Sequence, residues 1–130
     1  MSKVATRISQ IGTVAVPVSD TDRAIEFYVG TLGFEKRRDV PFGEQYRWVA
    51  VAPEGADTTI AIAPPPPGKP AGGVETGICL NTPDIDATHA EMQAAGVDVD
   101  AEVGRMGDPV PPMFWFRDVD GNTLMIVQSS

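Results

Sequence analysis

The chain has 130 residues, enough to close one hydrophobic core but too few for two independent domains of typical size. Apolar residues make up 42% and charged residues 22%, which excludes wholesale disorder, and the net charge of −8 argues against nucleic acids and anionic membranes as partners. Cys79 is the single cysteine, so no disulfide forms within the chain, and we expect a cytoplasmic protein. No apolar run approaches the length of a membrane-spanning helix, and residues 1–3 are not followed by the apolar core of a signal peptide.

The most informative feature of the sequence is an internal repeat, whose two copies are about sixty residues apart. Val18-Ser19-Asp20-Thr21-Asp22 leads to Leu32-Gly33-Phe34, and Thr82-Pro83-Asp84-Ile85-Asp86 leads to Ala95-Gly96-Val97. Each acidic stretch follows an apolar run of alternating character and opens a helical pattern that a glycine ends. Each half therefore predicts a strand, a helix and then further strands.

The first half predicts a strand at residues 11–18, a helix and three more strands. Ser19 is predicted to cap the helix with Asp22 as its capping-box partner, so the helix begins at about Asp20. Gly33 is placed to end it in the left-handed conformation. The apolar face of this helix consists of Ala24, Phe27, Tyr28 and Leu32. The further strands are expected at residues 34–40, 45–52 and 58–63.

Residues 64–73 contain four consecutive prolines and three glycines, which predict an extended linker that cannot join a sheet. The second half repeats the first, with its helix at residues 84–95 capped by Thr82 or Asp84. Asp118-Val119-Asp120-Gly121-Asn122 favours a hairpin turn over a calcium loop, because the further ligands of a twelve-residue loop are missing. Strands are expected at residues 74–81, 97–101, 112–117 and 122–128.

The order of these motifs resembles the vicinal oxygen chelate superfamily, the glyoxalase, bleomycin resistance and extradiol dioxygenase group. The resemblance rests on Val-Ser-Asp-x-Asp-x-Ala-x-x-Phe-Tyr, Leu-Gly-Phe and a late Asp-x-Asp-Gly-Asn, and it covers essentially residues 8–128. It implies an α+β fold of two tandem βαβββ modules that form a curled mixed sheet around a cavity, with the helices on the outside. We expect a single domain over residues 1–130, with modules at about 8–63 and 74–128. The resemblance also implies a homodimer, sometimes with modules exchanged between chains.

Enzymes of that superfamily hold a divalent metal with a His or Glu from each of four strands that face the cavity. Carried over to this sequence, those positions fall on Thr13, Ala61, Gly77 and Met125. These residues lack the imidazole, thiolate and carboxylate donors that zinc, nickel or iron needs. The resemblance therefore predicts no metal and no cofactor, and it leaves open whether the chain is an enzyme.

The alternation of side chains along each strand predicts which residues line the cavity. The predicted wall is small, apolar and lightly hydroxylated, and a flat ligand is expected to stack between Trp48 and Trp115. Half of the aromatic residues on the two aromatic strands must instead face the helices. The predicted ligand-binding residues are Thr13, Tyr46, Trp48, Ala61, Gly77, Cys79, Arg105, Trp115 and Met125.

Four further features have two interpretations each. Arg47 and Arg105 are candidates to neutralise an acidic group, with solvated surface as the alternative. His89 lies at the border of the apolar face of the second helix, which favours a helix-boundary role over catalysis. Cys79 is interpreted as a wall residue, with a nucleophile as the alternative, although no activating group is evident. Residues 102–112, rich in Gly and Pro, are predicted to form a rim or lid.

These expectations favour a metal-free binding protein that sequesters a small, partly aromatic molecule, as the antibiotic-resistance members of the superfamily do. One alternative is a lyase, isomerase or dioxygenase-type enzyme that uses other metal ligands or acid–base residues. A third is a subunit that regulates a partner protein, for which the proline-rich linker is the one hint.

Overall fold

The structure is a computed structural model and describes residues 5–44 and 46–129. The expectation about Met1-Ser2-Lys3 and the expected start of a strand at Gln45 lie outside the described residues. Within the described ranges, no helix combines the length and the apolar character that crossing a membrane requires.

The described residues form eight strands and two helical regions in the predicted order. The strands are β1 (Thr13–Pro17), β2 (Glu35–Phe42), β3 (Tyr46–Ala52), β4 (Thr59–Ala63), β5 (Glu75–Thr82), β6 (Asp98–Val99), β7 (Met113–Arg117) and β8 (Thr123–Gln128). Helix α1 (Thr21–Ile25) continues directly as a π-helix (Glu26–Thr31), and α2 (Ile85–Ala94) lies between β5 and β6. The strand bounds lie within two residues of the predicted ones.

Each half of the chain forms its own four-stranded sheet, in the orders β1-β4-β3-β2 and β5-β8-β7-β6. In each sheet the first and last strands of the half run parallel, and the other neighbours run antiparallel. Neither sheet closes into a barrel, and one helical region follows the first strand of each half. This arrangement confirms the predicted α+β class and the tandem βαβββ units.

Aspartates cap both helices. The prediction that Ser19 caps the first helix is wrong, because Asp20 is the cap and its side chain accepts a hydrogen bond from the backbone N–H of Arg23. Ser19 instead donates to Asp120, which lies in the other half of the chain, at 2.5 Å. At the second helix Asp84, one of the two predicted candidates, accepts from the backbone N–H of Ala87. Both caps satisfy a backbone donor that the first turn leaves free.

The first helix becomes π-helical where the sequence predicts a continuous α-helix. The backbone N–H of Leu32 donates to the carbonyl oxygen of Phe27, five residues earlier, at 2.9 Å. Two neighbouring residues of this π-helix, Phe27 and Tyr28, are both buried. Gly33 then ends the helix with a φ of +79°, as predicted.

One hydrophobic core is shared by both sheets and both helices. The Phe27 ring lies 6.5 Å from the ring of Phe116 in β7, so the first helix contacts the second sheet. The larger core residues are Val16, Phe27, Tyr28, Val49, Val51, Ile60, Ile62, Ile85, Met92, Phe114, Phe116, Leu124 and Ile126. Because each sheet turns one face towards this common core, the opposite face of each sheet points away from it.

The turn at residues 118–122 joins the two halves. Tyr28 donates from its Oη to the carboxylate of Asp118 at 2.8 Å, and Asn122 donates from its Nδ2 to the carbonyl oxygen of Pro17 at 2.8 Å. Two backbone N–H groups of the turn, those of Asp120 and Asn122, also donate to Asp118. Burial, together with the Asp118 charge, raises the pKa of Tyr28 above its ordinary value, so the phenol stays a donor. The Asp118 carboxylate therefore stabilises this turn.

Candidate functional site

The face of the first sheet that points away from the core is termed the first open face. It comprises Thr13, Ala15, Arg38, Val40, Tyr46, Trp48, Ala50, Thr59 and Ala61. Ladder pairing fixes this set, because directly paired residues share a face: Ala61 pairs with Ala15 on one side and with Ala50 on the other. Val49 and Val51 alternate with these residues in β3 and are fully buried in the core.

The corresponding face of the second sheet is termed the second open face. It comprises Cys79, Asp98, Met113, Trp115, Arg117, Thr123, Met125 and Val127. Met125 lies at its centre, paired with Cys79 in β5 and with Trp115 in β7. Phe114 and Phe116, which alternate with Trp115, are fully buried. Two of the three aromatic residues of β7 therefore face the core, and the third, Trp115, lies on the opposite face.

The predicted stacking residues are exposed. Tyr46 is 53% and Trp48 41% exposed, and both lie on the first open face. Trp115 is partly exposed on the second open face. The two tryptophans therefore lie on different sheets of one chain, each on the side away from the core. Exposed aromatic side chains of this size are typical of binding surfaces.

The four positions at which the superfamily places its metal ligands divide between the two open faces. Thr13 and Ala61 lie on neighbouring strands of the first sheet, and Gly77 and Met125 on neighbouring strands of the second. Thr13 Oγ1 lies 3.2 Å from Thr59 Oγ1, whereas Ala61 is 1% exposed and offers a ligand little surface. Within the described ranges, no three His, Cys, Asp or Glu side chains cluster as metal ligands. The absence of a metal remains a prediction.

The backbone conformation at position 77 favours glycine. It lies where the register of β5 shifts between Glu75 and Cys79, and its φ of +72° is in the left-handed region. Any residue with a Cβ atom is strained in that conformation, so a metal-ligating histidine does not suit this position.

Both arginines that the sequence offered as candidates to neutralise a ligand, Arg47 and Arg105, bind carboxylates of the protein itself. Arg105 forms two short contacts with Asp86 of α2, at 2.6 and 2.7 Å. Arg47 lies among core-facing positions of β3 and donates to Asp22 and Asp39. Both guanidiniums therefore already have carboxylate partners within the protein, and that of Arg105 is exposed. The rim prediction for residues 102–112 remains untested, although residues 104–111 are all exposed.

His89 and Cys79 differ in their surroundings. His89 Nε2 lies 2.7 Å from the carbonyl oxygen of Asp100, and its ring meets Phe114 edge-on at 4.8 Å. These contacts agree with a histidine at the border between helix and core. Cys79 is exposed on the second open face beside Met125, where the sequence places a wall residue.

Three charged residues of the open faces, Arg38, Asp98 and Arg117, were missed by sequence reasoning. Arg117 lies beside Trp115 and is bound by two carboxylates, Asp98 at 2.9 Å and Asp100 at 2.9 Å. The Arg117 guanidinium lowers the pKa of Asp98, and the two carboxylates raise the pKa of Arg117. Arg38 lies on the first open face, paired with Ala50. The alternation of side chains in β7 could have placed Arg117 on the same face as Trp115. The face of Arg38 could not be predicted in this way, because the register of β2 shifts between Lys36 and Arg38.

A cleft with a volume of about 750 Å³ lies where the first strands of the two halves approach each other. Its lining includes Ile11 and Ala15 from the region of β1 and Gly77, Cys79 and Asn81 from β5. This volume is within the range of small-molecule sites. Of the predicted ligand-binding residues, Gly77 and Cys79 line this cleft.

Comparison with known proteins identifies the fold and the family together. A sequence model of the Glyoxalase/Bleomycin resistance protein/Dioxygenase superfamily matches residues 10–126. The chain belongs to this superfamily. A relative within it is YetH of Bacillus subtilis (strain 168), which is 35% identical over 124 residues and aligns over 92% of this chain and 98% of its own.

Solved structures of the superfamily agree closely with this one. TnmS3, an antibiotic binding protein from Streptomyces sp. CB03234, is 39% identical with a TM-score of 0.83, and the match covers 96% of this chain and 99% of TnmS3. A superfamily member from Sphaerobacter thermophilus DSM 20745 is 35% identical with a TM-score of 0.87, covering 95% and 100% of the two chains. The superfamily resemblance inferred from the motifs is confirmed.

Proposed function

We propose that the protein is a metal-free binding protein of the superfamily that sequesters a small, partly aromatic ligand. The observation that carries this proposal is the pair of outward-facing tryptophans, Trp48 and Trp115, each beside small or flexible side chains. The residues at the four metal-ligand positions support a site without a metal, because none is His, Cys, Asp or Glu. TnmS3, at 39% identity over nearly the whole chain, binds an antibiotic, which supports a small-molecule ligand here as well.

We further propose that a second copy of the chain completes the cavity and that the protein acts in the cytoplasm. The two open faces of one chain both point away from the shared core, so a partner is needed to place one opposite another. Each described sheet has two edge strands with one side unpaired, β1 and β2 in the first sheet and β5 and β6 in the second. An unpaired edge next to an exposed aromatic face favours association with another sheet.

Replacement of Trp48 tests the proposed site. We expect Trp48→Ala to weaken binding of the neutral aromatic probe 2-naphthamide by about 1 to 3 kcal/mol in isothermal titration calorimetry, because a stacking surface is lost. Val119→Ala is the matched control, since Val119 is an exposed apolar residue in the turn between β7 and β8. Equal affinities of wild type and Trp48→Ala would reject the stacking role. A stoichiometric metal in native mass spectra, lost on changing Thr13 or Met125, would reject the metal-free site.

A further inference from the structure

Arg38 reaches the first open face through an irregularity in β2. The register of β2 against β3 shifts between Lys36 and Arg38, after which Arg38 pairs with Ala50 and Val40 pairs with Trp48. Such a bulge turns the following side chains relative to the pattern that precedes it. Arg38 therefore lies on the same face as Trp48. It is a diagonal neighbour of Trp48, because its own partner, Ala50, is two residues from Trp48 in β3.

Arg38 differs from the other arginines of the sheets in having no partner among the described residues. Arg37 is held by Glu35 and by two backbone carbonyls, those of Pro53 and Ala56. Arg47 and Arg117 are each held by two aspartates. No hydrogen bond or ion pair of Arg38 occurs within residues 5–44 and 46–129, and its side chain is exposed. Although the chain has 18 acidic residues, Arg38 has no carboxylate partner within the described ranges.

The exposed surface beside Arg38 lies towards Val40 and Trp48, which are 43% and 41% exposed. In the other direction, across the sheet, its neighbours are Ala50 and then Ala61, which are 5% and 1% exposed and offer a ligand little surface. The next row on this face contains Val40 and Trp48. A flat ring resting on the indole therefore places a substituent within reach of the guanidinium, because diagonal neighbours in a sheet are about 7 Å apart.

We propose that the ligand carries one anionic oxygen group, of the carboxylate class, on its aromatic ring, and that Arg38 binds this group. The inference rests on the proposed binding function. The planar guanidinium matches a carboxylate with two parallel hydrogen bonds, and the ring of the ligand stacks on Trp48. The net charge of −8 opposes polyanions, whereas a single carboxylate interacts mainly with the charges nearest to it, because salt screens charges beyond about 8 Å at physiological ionic strength.

The test compares two probes that differ only in charge, 2-naphthoate and 2-naphthamide. We expect wild type to bind 2-naphthoate at least about tenfold more tightly than the amide in calorimetric titrations at low salt, and added salt to reduce that preference. Arg38→Gln should bind both probes equally, with the affinity for the amide unchanged. Arg23→Gln is the matched control, because Arg23 is an exposed arginine of α1 and its loss changes the net charge equally.

Each other outcome contradicts a distinct part of the inference. Equal binding of both probes by wild type, or a preference that survives in Arg38→Gln, would overturn the role of Arg38 while leaving the aromatic site intact. A dimer that dissociates in Arg38→Gln, seen by native mass spectrometry, would assign the guanidinium to a contact between copies and overturn the ligand role. If neither probe binds wild type, the proposed aromatic site itself fails, and the inference fails with it.

Discussion

Arg47 illustrates how single side chains connect the elements of this protein. Its guanidinium donates to Asp22 at the start of α1 and to Asp39 in β2, while Lys36 also donates to Asp39. Hydrogen bonds from Arg47, and then from Lys36, lower the pKa of Asp39 from 3.8 to about 2. The carboxylate is therefore charged in the folded chain at pH values where an unfolded chain has begun to protonate it.

The pH dependence of stability tests this network. Because the folded pKa of Asp39 lies below the unfolded value, its contribution is fully present above about pH 4 and is lost as the pH falls through about 2. We expect Arg47→Gln to raise the pKa of Asp39 and to lower the urea midpoint at neutral pH. The difference in midpoint from wild type should shrink towards about pH 2. Carboxyl carbon NMR titration measures the pKa directly.

Lys36→Gln provides the internal comparison for Asp39. Lys36 donates one hydrogen bond to this carboxylate and Arg47 donates two, so the pKa of Asp39 should rise less in Lys36→Gln than in Arg47→Gln. A pKa of Asp39 that stays unchanged in Arg47→Gln would contradict the assignment.

The π-helix and the turn at residues 118–122 show how two elements fix each other. Tyr28 lies within the π-helix, is fully buried and donates to Asp118 of the second half. The sequence predicts the helix, its apolar residues and the turn, since each depends on residues close along the chain. It does not predict the π turn, because a hydrogen bond shifted by one residue leaves the apolar spacing almost unchanged.

Removal of one hydroxyl tests the link between these elements. Tyr28→Phe should lower the free energy of unfolding by about 1.5 to 3 kcal/mol in urea denaturation, because a buried carboxylate loses a donor without a large change in packing. Tyr46→Phe is the matched control. Tyr46 is the other tyrosine and is 53% exposed, so its change should stay within about 0.5 kcal/mol. Equal losses in the two variants would argue against a specific contribution from the Tyr28 hydroxyl.

The whole molecule is organised by a core that the two halves share. The halves build separate sheets, yet Phe27 of the first packs near Phe116 of the second, and Asn122 of the second donates to Pro17 of the first. Packing the halves through their helical sides leaves two open faces directed outwards. Each carries one tryptophan and two of the superfamily's metal-ligand positions.

This arrangement leads to a prediction about the assembly. We expect native mass spectrometry to give twice the mass of the chain, because two copies are needed to place a first open face opposite a second one. Ala15→Glu should shift the protein towards the monomer, since Ala15 is exposed on β1 at the edge of the first sheet. Gln93→Glu, at an exposed position on α2, adds the same charge outside the strands as a control. A wild-type protein that is monomeric at micromolar concentration would contradict the dimer.

Local patterns in the sequence were sufficient for the order of the elements, for their ends to within about two residues and for the alternation of side chains along each strand. Each of these depends on periodicity and turn chemistry within a few neighbouring residues. Which aromatic residues face away from the core was decided by the tertiary structure, because alternation alone does not say which face of a strand meets the core. Arg38 at the candidate site was not foreseeable, because its orientation depends on the register shift between β2 and β3. The way in which the two halves are joined could not be predicted from the sequence either. It depends on contacts such as Tyr28 with Asp118, ninety residues apart, and only folding in three dimensions brings such groups within hydrogen-bond distance.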